Sequence, residues 1–300
     1  MTAPHHKNPL PPLVLNLAPT GMVPTRAASP KVPLQPHEIV RDVLACADLG
    51  ITIAHLHARD ENGRPTHRKE IYARIIGGIR EHRPDLILCV SCSGRGGLTL
   101  EQRSEVLTLA GDVRPDMASL TLSSLNFASQ ASLNSPQTVS ALAAQMNDSG
   151  IKPELEIFDL GMVNVVRYLL AHGLIRMPLY ANLLFGNIAT AQATLLDMGA
   201  VVAALPLGTI YSLAGMGAAQ LPVAAIAAGS APGVRIGLED NLWLDPEREQ
   251  LASNVDLVTR VHEFAELLSR RISTAAELRS VLELPLPLPL QQDTPEQMVG

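Results

Sequence analysis

Eight short apolar segments recur along the chain, and most are followed by a segment with helical periodicity. Each apolar segment is five or six residues long, which suits a buried strand and is too short for a helix. They cover residues 13–17, 51–56, 86–90, 117–122, 154–158, 179–184, 201–205 and 234–238. A strand followed by a helix, eight times over, predicts an α/β fold, a (β/α)8 TIM barrel with a parallel eight-stranded core. A doubly wound open sheet is the alternative, because the pattern does not reveal strand order.

Helix signals lie between these segments. Pro36 and Gly50 flank a periodic stretch, and both residue types are typical of a helix start and stop. Thr66 is a candidate N-cap for the next stretch. The predicted helices cover residues 36–49, 68–81, 135–147 and 245–270.

The chain is predicted to hold one barrel domain over residues 1–281. Residues 282–300 change character, because they alternate leucine with proline and then become polar. Alternating prolines cannot continue a helix or join a central strand. We therefore predict an extended arm or a disordered tail there.

Composition excludes several classes of protein. Apolar residues make up 47% of the chain and charged residues 17%, which excludes intrinsic disorder for most of it. The net charge of −6 argues against a nucleic-acid partner. No apolar run approaches the roughly 20 residues that cross a bilayer, and the start lacks the apolar core of a secretory signal. The three cysteines are too few for a disulfide framework, so we predict a cytoplasmic protein with reduced thiols.

His55 and His57 are the most informative local signal. Side chains alternate between the two faces of a strand, so both imidazoles point the same way. They lie at the carboxyl-terminal end of the second predicted strand, where barrel active sites form. Two imidazoles there suit a divalent metal ion, and zinc is the usual ion for nitrogen ligands. A pair of structural histidines is the alternative.

The last predicted strand carries Arg235 and Glu239 on one face, with Asp240 directly after them. Charges inside a barrel strand are costly unless they are paired, so these residues indicate an ion pair or a functional site. In a closed barrel the eighth strand neighbours the first, which places Glu239 near the two histidines. Two histidines and one carboxylate form a metal set that leaves positions open for substrate.

Weaker signals lie at the same predicted end. The loop of small residues 91–97 suits backbone anion binding or is an ordinary turn. Thr20 follows the first strand among other polar groups. Glu154 and Glu156 share a face of the fifth strand, which is costly unless they meet cations or lie at the barrel mouth. Cys92 has no identified histidine partner, which favours an inert thiol over a nucleophile.

Several motifs run in order along nearly the whole chain, and together they resemble the β-keto acid cleavage enzymes, the family of the 3-keto-5-aminohexanoate cleavage enzyme. The first is Ala18-Pro19-Thr20-Gly21, and the metal strand is similar to His55-Leu56-His57-Ala58-Arg59-Asp60. The others are Pro115-Asp116-Met117-Ala118-Ser119-Leu120 with Asn126-Phe127, the stretch from Lys152 to Asp159, the loop through Gly215-Met216-Gly217, and the stretch from Arg235 to Asn241.

The resemblance implies an enzyme that joins a β-keto acid to acetyl-CoA and yields acetoacetate and a new acyl-CoA. It implies one zinc ion held by His55, His57 and Glu239, with Asp240 as the base and Arg235 setting its charge and position. It implies a homo-oligomer, either a dimer or a tetramer. The only other predicted partners are small molecules, the β-keto acid and acetyl-CoA. Substrate contacts are expected from Ser91, Ser93, Thr20, Thr121, Glu156 and Asn126, and acetyl-CoA contacts from Gly215 and Gly217.

Two loops depart from the family pattern. Relatives commonly carry two glycines after a hydroxyl pair that follows the third strand, and Ser93-Gly94-Arg95 interrupts that pattern here. Arg95 is interpreted either as a cation for a distal acid of the substrate or as a solvated loop residue. In the seventh-strand loop, Tyr211 and Ala218 replace a common tryptophan and a common basic residue, which predicts weaker or different binding of acyl-CoA.

Two other functions stay open from the sequence. Metal-dependent hydrolases on this fold also combine His-x-His with a carboxylate on the last strand. They carry the histidine pair on the first strand and further histidines on later ones, and strands five and six here have none. The other alternative is a non-catalytic sensor of keto acid or acyl-CoA, and the presence of Glu239 and Asp240 counts against this hypothesis.

Overall fold

A computed structural model describes residues 10–285, and eight parallel strands within them close into a barrel. The strands are β1 (Val14–Leu17), β2 (Ile53–Leu56), β3 (Ile87–Val90), β4 (Met117–Thr121), β5 (Lys152–Ile157), β6 (Tyr180–Phe185), β7 (Ile210–Gly215) and β8 (Gly233–Ile236). Each strand pairs with its neighbours in chain order, and β1 also pairs with β8, with Leu15 beside Val234. This closure confirms the predicted (β/α)8 barrel and excludes the open sheet.

Helices cover the outside of the barrel. They are α1 (Pro36–Leu49), α2 (Lys69–Arg80), α3 (Leu100–Ser104), α4 (Pro136–Asp148), α5 (Leu160–Ala171), α6 (Leu195–Ala204), α7 (Gln220–Ser230), α8 (Asn254–Leu267) and α9 (Ala275–Leu282). The predicted helix over residues 36–49 is confirmed at both ends. Ser135 caps α4 by accepting a hydrogen bond from the backbone N–H of Thr138, which satisfies a donor that the first turn leaves free.

The seventh strand was predicted at the wrong place. Residues 201–205 belong to α6 and its last turn, and β7 follows at Ile210–Gly215. A short, wholly apolar run does not distinguish a buried strand from a buried helix. Thr194 fixes the start of α6, because its side chain accepts a hydrogen bond from the backbone N–H of Asp197 as an N-cap.

Two helix starts were also wrong. The helix predicted over residues 245–270 begins only at Asn254, because Ser253 and Asp256 form a capping box there. Asp245 instead organises the preceding loop by accepting backbone hydrogen bonds. Helix α2 begins after Arg68, so Thr66 is not its N-cap.

Helix α9 closes the amino-terminal end of the barrel. Leu278 and Leu282 pack against the first residues of several strands, including Val14. The guanidinium of Arg279 donates to both carboxylate oxygens of Asp116, at 2.9 and 2.8 Å. The opposite, carboxyl-terminal end therefore remains open for a site.

The predicted tail, residues 282–300, lies outside the described residues except for 282–285. Within that short part, Leu282 and Leu284 are buried against the barrel. Across residues 10–285, no helix combines the length and the apolar character that crossing a bilayer requires.

A loop follows β4 and forms a small β-hairpin, in which Leu125–Asn126 pairs with Ala131–Ser132. The hairpin lies at the open end of the barrel, since β4 ends there. It contacts the loop after β3 through a backbone bridge between Arg95 and Ser132.

Candidate active site

A buried anion, Glu154, lies at the centre of a polar network inside the barrel. Its Oε1 accepts a hydrogen bond from Asn16 Nδ2 at 2.8 Å, and its Oε2 accepts one from Cys89 Sγ at 3.2 Å. Burial raises the pKa of Glu154, but His55 and Arg235 outweigh that effect and bring it to about 2. Glu154 is therefore ionised, and its hydrogen bonds satisfy the charge of a side chain that is fully buried.

His55 is oriented by this carboxylate. Its Nδ1 lies 2.5 Å from Glu154 Oε2, so the hydrogen on Nδ1 is directed at the carboxylate. Its Nε2 lies 3.3 Å from Nε2 of His57. Burial lowers the pKa of His55, while Glu154 raises it, to a net value of about 9. A metal ligand histidine held in this way presents Nε2 to the ion, which would displace the second proton.

Glu239 completes the set. Its Oε1 lies 3.2 Å from Nε2 of His57, and its Oε2 lies 3.9 Å from Nε2 of His55. The donor atoms of the three residues all lie within 4.8 Å of one another. Oε2 of Glu239 is buried and accepts no hydrogen bond from the described residues, which leaves an acceptor that a cation would satisfy. These three side chains therefore fit a divalent metal ion.

The ligand atoms of a second group, His55 with Cys89 and Glu154, also all lie within 4.8 Å of one another. It fits a metal ion less well, because hydrogen bonds already occupy both oxygens of Glu154. Burial and the neighbouring Glu154 also raise the pKa of the Cys89 thiol well above its usual value, so the thiolate ligand is disfavoured.

A close approach of two chain segments brings Glu239 to the histidines. Gly237 has φ of 149°, and a side chain there would overlap the backbone of Ala18 at the end of β1. The backbone N–H of Glu239 then donates to the carbonyl of Ala18 at 3.1 Å. Glycine is required at this position, because only it combines this backbone conformation with so close a contact.

Arg235 binds both acids that follow its strand. Its Nη2 lies 2.9 Å from Glu239 Oε1, and its Nε donates to Asp240 Oδ2 at 2.9 Å. Burial raises the pKa of Glu239, but His57 and Arg235 bring it well below its usual value. Burial also raises the pKa of Asp240, and there Arg235 does not fully offset it. Adjacent carboxyl groups with separated pKa values suit a ligand and a proton acceptor.

A cavity of about 380 Å³ opens above these residues, and His57, Arg235, Glu239 and Asp240 form part of its wall. A neighbouring cavity of about 310 Å³ extends toward α2 and α3 and shares His57 with it. Five of the other predicted site residues also line the first cavity, namely Ser91, Ser93, Thr121, Glu156 and Gly217. Thr121 donates to Glu156 Oε2 at 2.5 Å, which fixes that acid in the wall.

The other three predicted contacts lie away from the cavity wall. Thr20 is buried and donates its hydroxyl to the carbonyl of Pro33 at 3.1 Å. Asn126 belongs to the exposed part of the hairpin, and its carbonyl accepts from Asn187 Nδ2. Gly215 ends β7, where the backbone of Ala219 leaves no space for a side chain.

The sequence reasoning missed several cavity residues. Asn187 lies two residues after the end of β6 at the open end of the barrel, so its position after an apolar run indicates a cavity residue. Met216 and Phe127 carry no such signal, because apolar residues in loops resemble core residues. The others that line the cavity and were not predicted include Met22, Gln130, Phe158 and Ile188.

Residues 12–284 match a family described as beta-keto acid cleavage enzyme. The 3-keto-5-aminohexanoate cleavage enzyme of Acetoanaerobium sticklandii is 31% identical over 271 residues, which cover 90% of this chain and 97% of that protein. The 3-oxoadipate:acetyl-CoA acetyltransferase of Cupriavidus necator is 35% identical over 278 residues, which cover 91% of this chain and 95% of that protein. The apo structure of ObcA shares the fold with a TM-score of 0.75 at 22% identity, over 85% of this chain and 66% of that chain.

Proposed function

The chain belongs to the β-keto acid cleavage enzyme family, and on that premise we propose that it uses one zinc ion to join a β-keto acid to acetyl-CoA. The products are acetoacetate and a new acyl-CoA. The observation that carries this proposal is the convergence of His55, His57 and Glu239 beside the Arg235–Asp240 pair. Enzymes of this family are acetyl-CoA-dependent transferases, so no redox cofactor is needed.

In this proposal, His55, His57 and Glu239 hold the metal ion. When bound, the ion supplies positive charge that stabilises an enolate of the keto acid. Glu154 keeps the His55 ring in the orientation that ligation requires. The same carboxylate keeps the polar interior of the barrel ordered around the site.

Asp240 takes the proton from the α-carbon of the keto acid. Burial raises the pKa of Asp240, which makes its carboxylate a stronger proton acceptor, and Arg235 holds that carboxylate in place through two hydrogen bonds. The enolate carbon then attacks the acetyl thioester, and the released CoA thiol adds to the former ketone carbon. Cleavage of the bond between the former ketone carbon and the α-carbon releases the new acyl-CoA and the enolate of acetoacetate, and this enolate takes the proton back from Asp240 to give acetoacetate.

Residues in the cavity wall bind the substrates in this proposal. Ser91, Ser93 and Thr121 offer hydroxyl groups, and Glu156 offers a carboxylate that Thr121 orients. Gly217 leaves room for the acyl-CoA, because the space that a side chain there would occupy is open. Its backbone N–H donates to the Asp240 carbonyl at 2.7 Å, which places it beside the proposed base.

We also infer a homo-oligomer in the cytoplasm. Leu195 and Leu196 on α6 are 74% and 79% exposed, which supports burial of this surface against another copy. Sedimentation velocity measures the assembly directly, and a monomer at micromolar concentration would contradict this inference.

The test joins metal analysis to a product screen. The purified protein is incubated with acetyl-CoA and a panel of β-keto acids, and acetoacetate is measured. We expect one equivalent of zinc in the parent protein and none in the His55→Ala/His57→Ala double variant, with the circular dichroism spectrum retained. Full metal occupancy in the double variant would refute the ligand assignment. Bound metal without acetoacetate from any keto acid would refute the reaction and favour a hydrolase or a sensor.

A further inference from the structure

Arg95 is a cation in the cavity that the proposed reaction does not use. It lies in the loop after β3 and lines both cavities. Within residues 10–285 its guanidinium makes no hydrogen bond or ion pair, and only its backbone N–H is bonded, to Ser93 Oγ. Arg235 and Arg103, by contrast, are each held by several acceptors. A guanidinium without a partner in a cavity wall is a ready donor for an anion.

The loop that carries Arg95 is fixed in place. Arg103 donates to the carbonyl of Cys92 at 2.9 Å and to the carbonyl of Leu133 at 3.1 Å, which joins the loop to the segment after the hairpin. A side chain at Gly94 would collide with the carbonyl of Leu133, so glycine permits this close contact. These contacts therefore fix the backbone position of Arg95, which does not lie in a free loop.

The side chain of Arg95 is also oriented. Its guanidinium carbon lies 3.4 Å from the centre of the Phe127 ring, a cation–π contact that holds the group over the ring. Phe127 packs edge-on against Phe158 at 5.7 Å, which supports the ring from below. A guanidinium stacked in this way keeps its N–H edge free for a carboxylate.

The charges around the cavity decide what Arg95 would bind. Glu239 and Asp240 pair with Arg235, and Glu156 Oε1 lies 3.9 Å from its Nη1. Three acids therefore surround Arg235, and this cation attracts a second acid on the substrate less than Arg95 does, although its Nη1 has no hydrogen-bond partner among the described residues. Burial lowers the pKa of Arg95, and Glu239 and Glu156 counteract this effect. An ammonium group near Arg95 would be repelled, and an alkyl tail would leave the guanidinium without a partner.

We propose that Arg95 forms an anion subsite that selects β-keto acids with a second carboxylate at the end of the chain beyond the ketone. This inference rests on the proposed function, because it assigns the substrate class of the same site. The observation that carries it is the guanidinium over Phe127 in the cavity wall, which has no hydrogen bond or ion pair among residues 10–285.

The test compares two β-keto acids of equal length, one ending in a carboxylate and one in a methyl group. Their kcat/KM ratio is measured for the parent protein, for Arg95→Met and for Arg95→Lys. A charged hydrogen bond is worth about a 10- to 100-fold preference, so the ratio should fall by that factor in R95M and be partly retained in R95K. The control is Arg64→Met, which removes an exposed arginine at the same end of the barrel.

A ratio that is unchanged in R95M overturns the subsite. An increase in the KM for acetyl-CoA alone, with the ratio unchanged, assigns Arg95 to a CoA phosphate instead and also overturns it. The proposed function fails in a different way, because then neither acid yields acetoacetate. In that event titration calorimetry still tests the subsite, with a saturated dicarboxylic acid and a saturated monocarboxylic acid as ligands. Equal affinity of the parent protein for the two acids contradicts the subsite.

Discussion

Glu154 Oε2 lies 2.5 Å from Nδ1 of His55, and this contact joins the fifth strand to the second across the barrel interior. The imidazole is thereby held with Nε2 toward His57. The orientation of a proposed metal ligand thus depends on a carboxylate that does not itself face the cavity.

Glu154→Gln should weaken metal binding while all three ligands remain. The amide keeps the size of the side chain but loses the charge that holds the His55 ring, and loss of such a partner typically costs 10- to 100-fold in affinity. Competition with a chromophoric chelator measures the affinity. Glu156→Gln is the control, because that acid lies two residues away and faces the cavity. Equal affinity in E154Q and the parent protein would show that Glu154 does not orient the ligand.

Replacement of Glu239 and of Asp240 by the corresponding amide should affect metal content and activity differently. Glu239→Gln removes a charged ligand, so metal content and activity should fall together. Asp240→Asn should retain the metal ion and lower activity by at least about 100-fold, the usual loss for a general base. Exchange of the substrate α-hydrogen with heavy water, measured without acetyl-CoA, isolates the proton transfer. Exchange at the parent rate in D240N would remove Asp240 as the base.

Arg279→Met should destabilise the protein by about 3 kcal/mol without altering activity per folded molecule. The variant leaves Asp116 buried with one guanidinium fewer, and breaking a buried ion pair costs about 3–5 kcal/mol. Arg80 and the backbone N–H of Leu88 still donate to Asp116, which keeps the loss at the lower end. Urea unfolding measures the change.

The control for that experiment is Arg271→Met. Arg271 pairs with Glu277 on the surface, with 60% of the arginine side chain exposed, and such pairs contribute about 0–1 kcal/mol. Equal losses of free energy of unfolding in the two variants would contradict the importance of the buried pair.

Asp42 should make stability fall as the pH rises from about 4 to about 6. Burial raises its pKa from 3.8 to about 6, partly offset by the hydrogen bond from Asn254. The folded protein therefore keeps a proton that the unfolded chain releases, so the free energy of unfolding decreases with pH across this window. Asp42→Asn removes that contribution, because the amide does not titrate.

The measurement is urea unfolding of D42N and the parent protein at pH 4.5 and pH 7. The variant should gain stability relative to the parent protein on going to pH 7. Asp48→Asn, on the exposed side of the same helix, removes an equal charge without burial. A difference between D42N and the parent protein that is the same at both pH values would contradict this assignment.

The barrel was predictable from the sequence because seven of the eight strands combine short apolar runs with helical segments between them. The exception shows the limit of that signal. Residues 201–205 are all apolar, so the sequence of this run does not distinguish a strand from the last turns of α6. The true strand, β7, ends in small residues, Ala214 and Gly215, which weaken the strand pattern.

The candidate site was only partly predictable. His55 and His57 come from strand alternation, and their proximity to Glu239 comes from the neighbouring positions of β8, β1 and β2. The role of Glu154 was not predicted, because spacing along the chain does not show which inward side chains meet across a barrel. The position of Arg95 on Phe127 was not predicted either, since it depends on contacts between two loops.

The pairing of β1 with β8 has a consequence for biosynthesis. The first strand leaves the ribosome early, but the strand that covers one of its edges is the last to be made. Until then the nascent chain exposes an unpaired apolar edge, the kind of surface that recruits chaperones and promotes aggregation. A protein of this topology matures only after its carboxyl-terminal strand is released, so truncated translation products are expected to be cleared and not to accumulate as partial barrels.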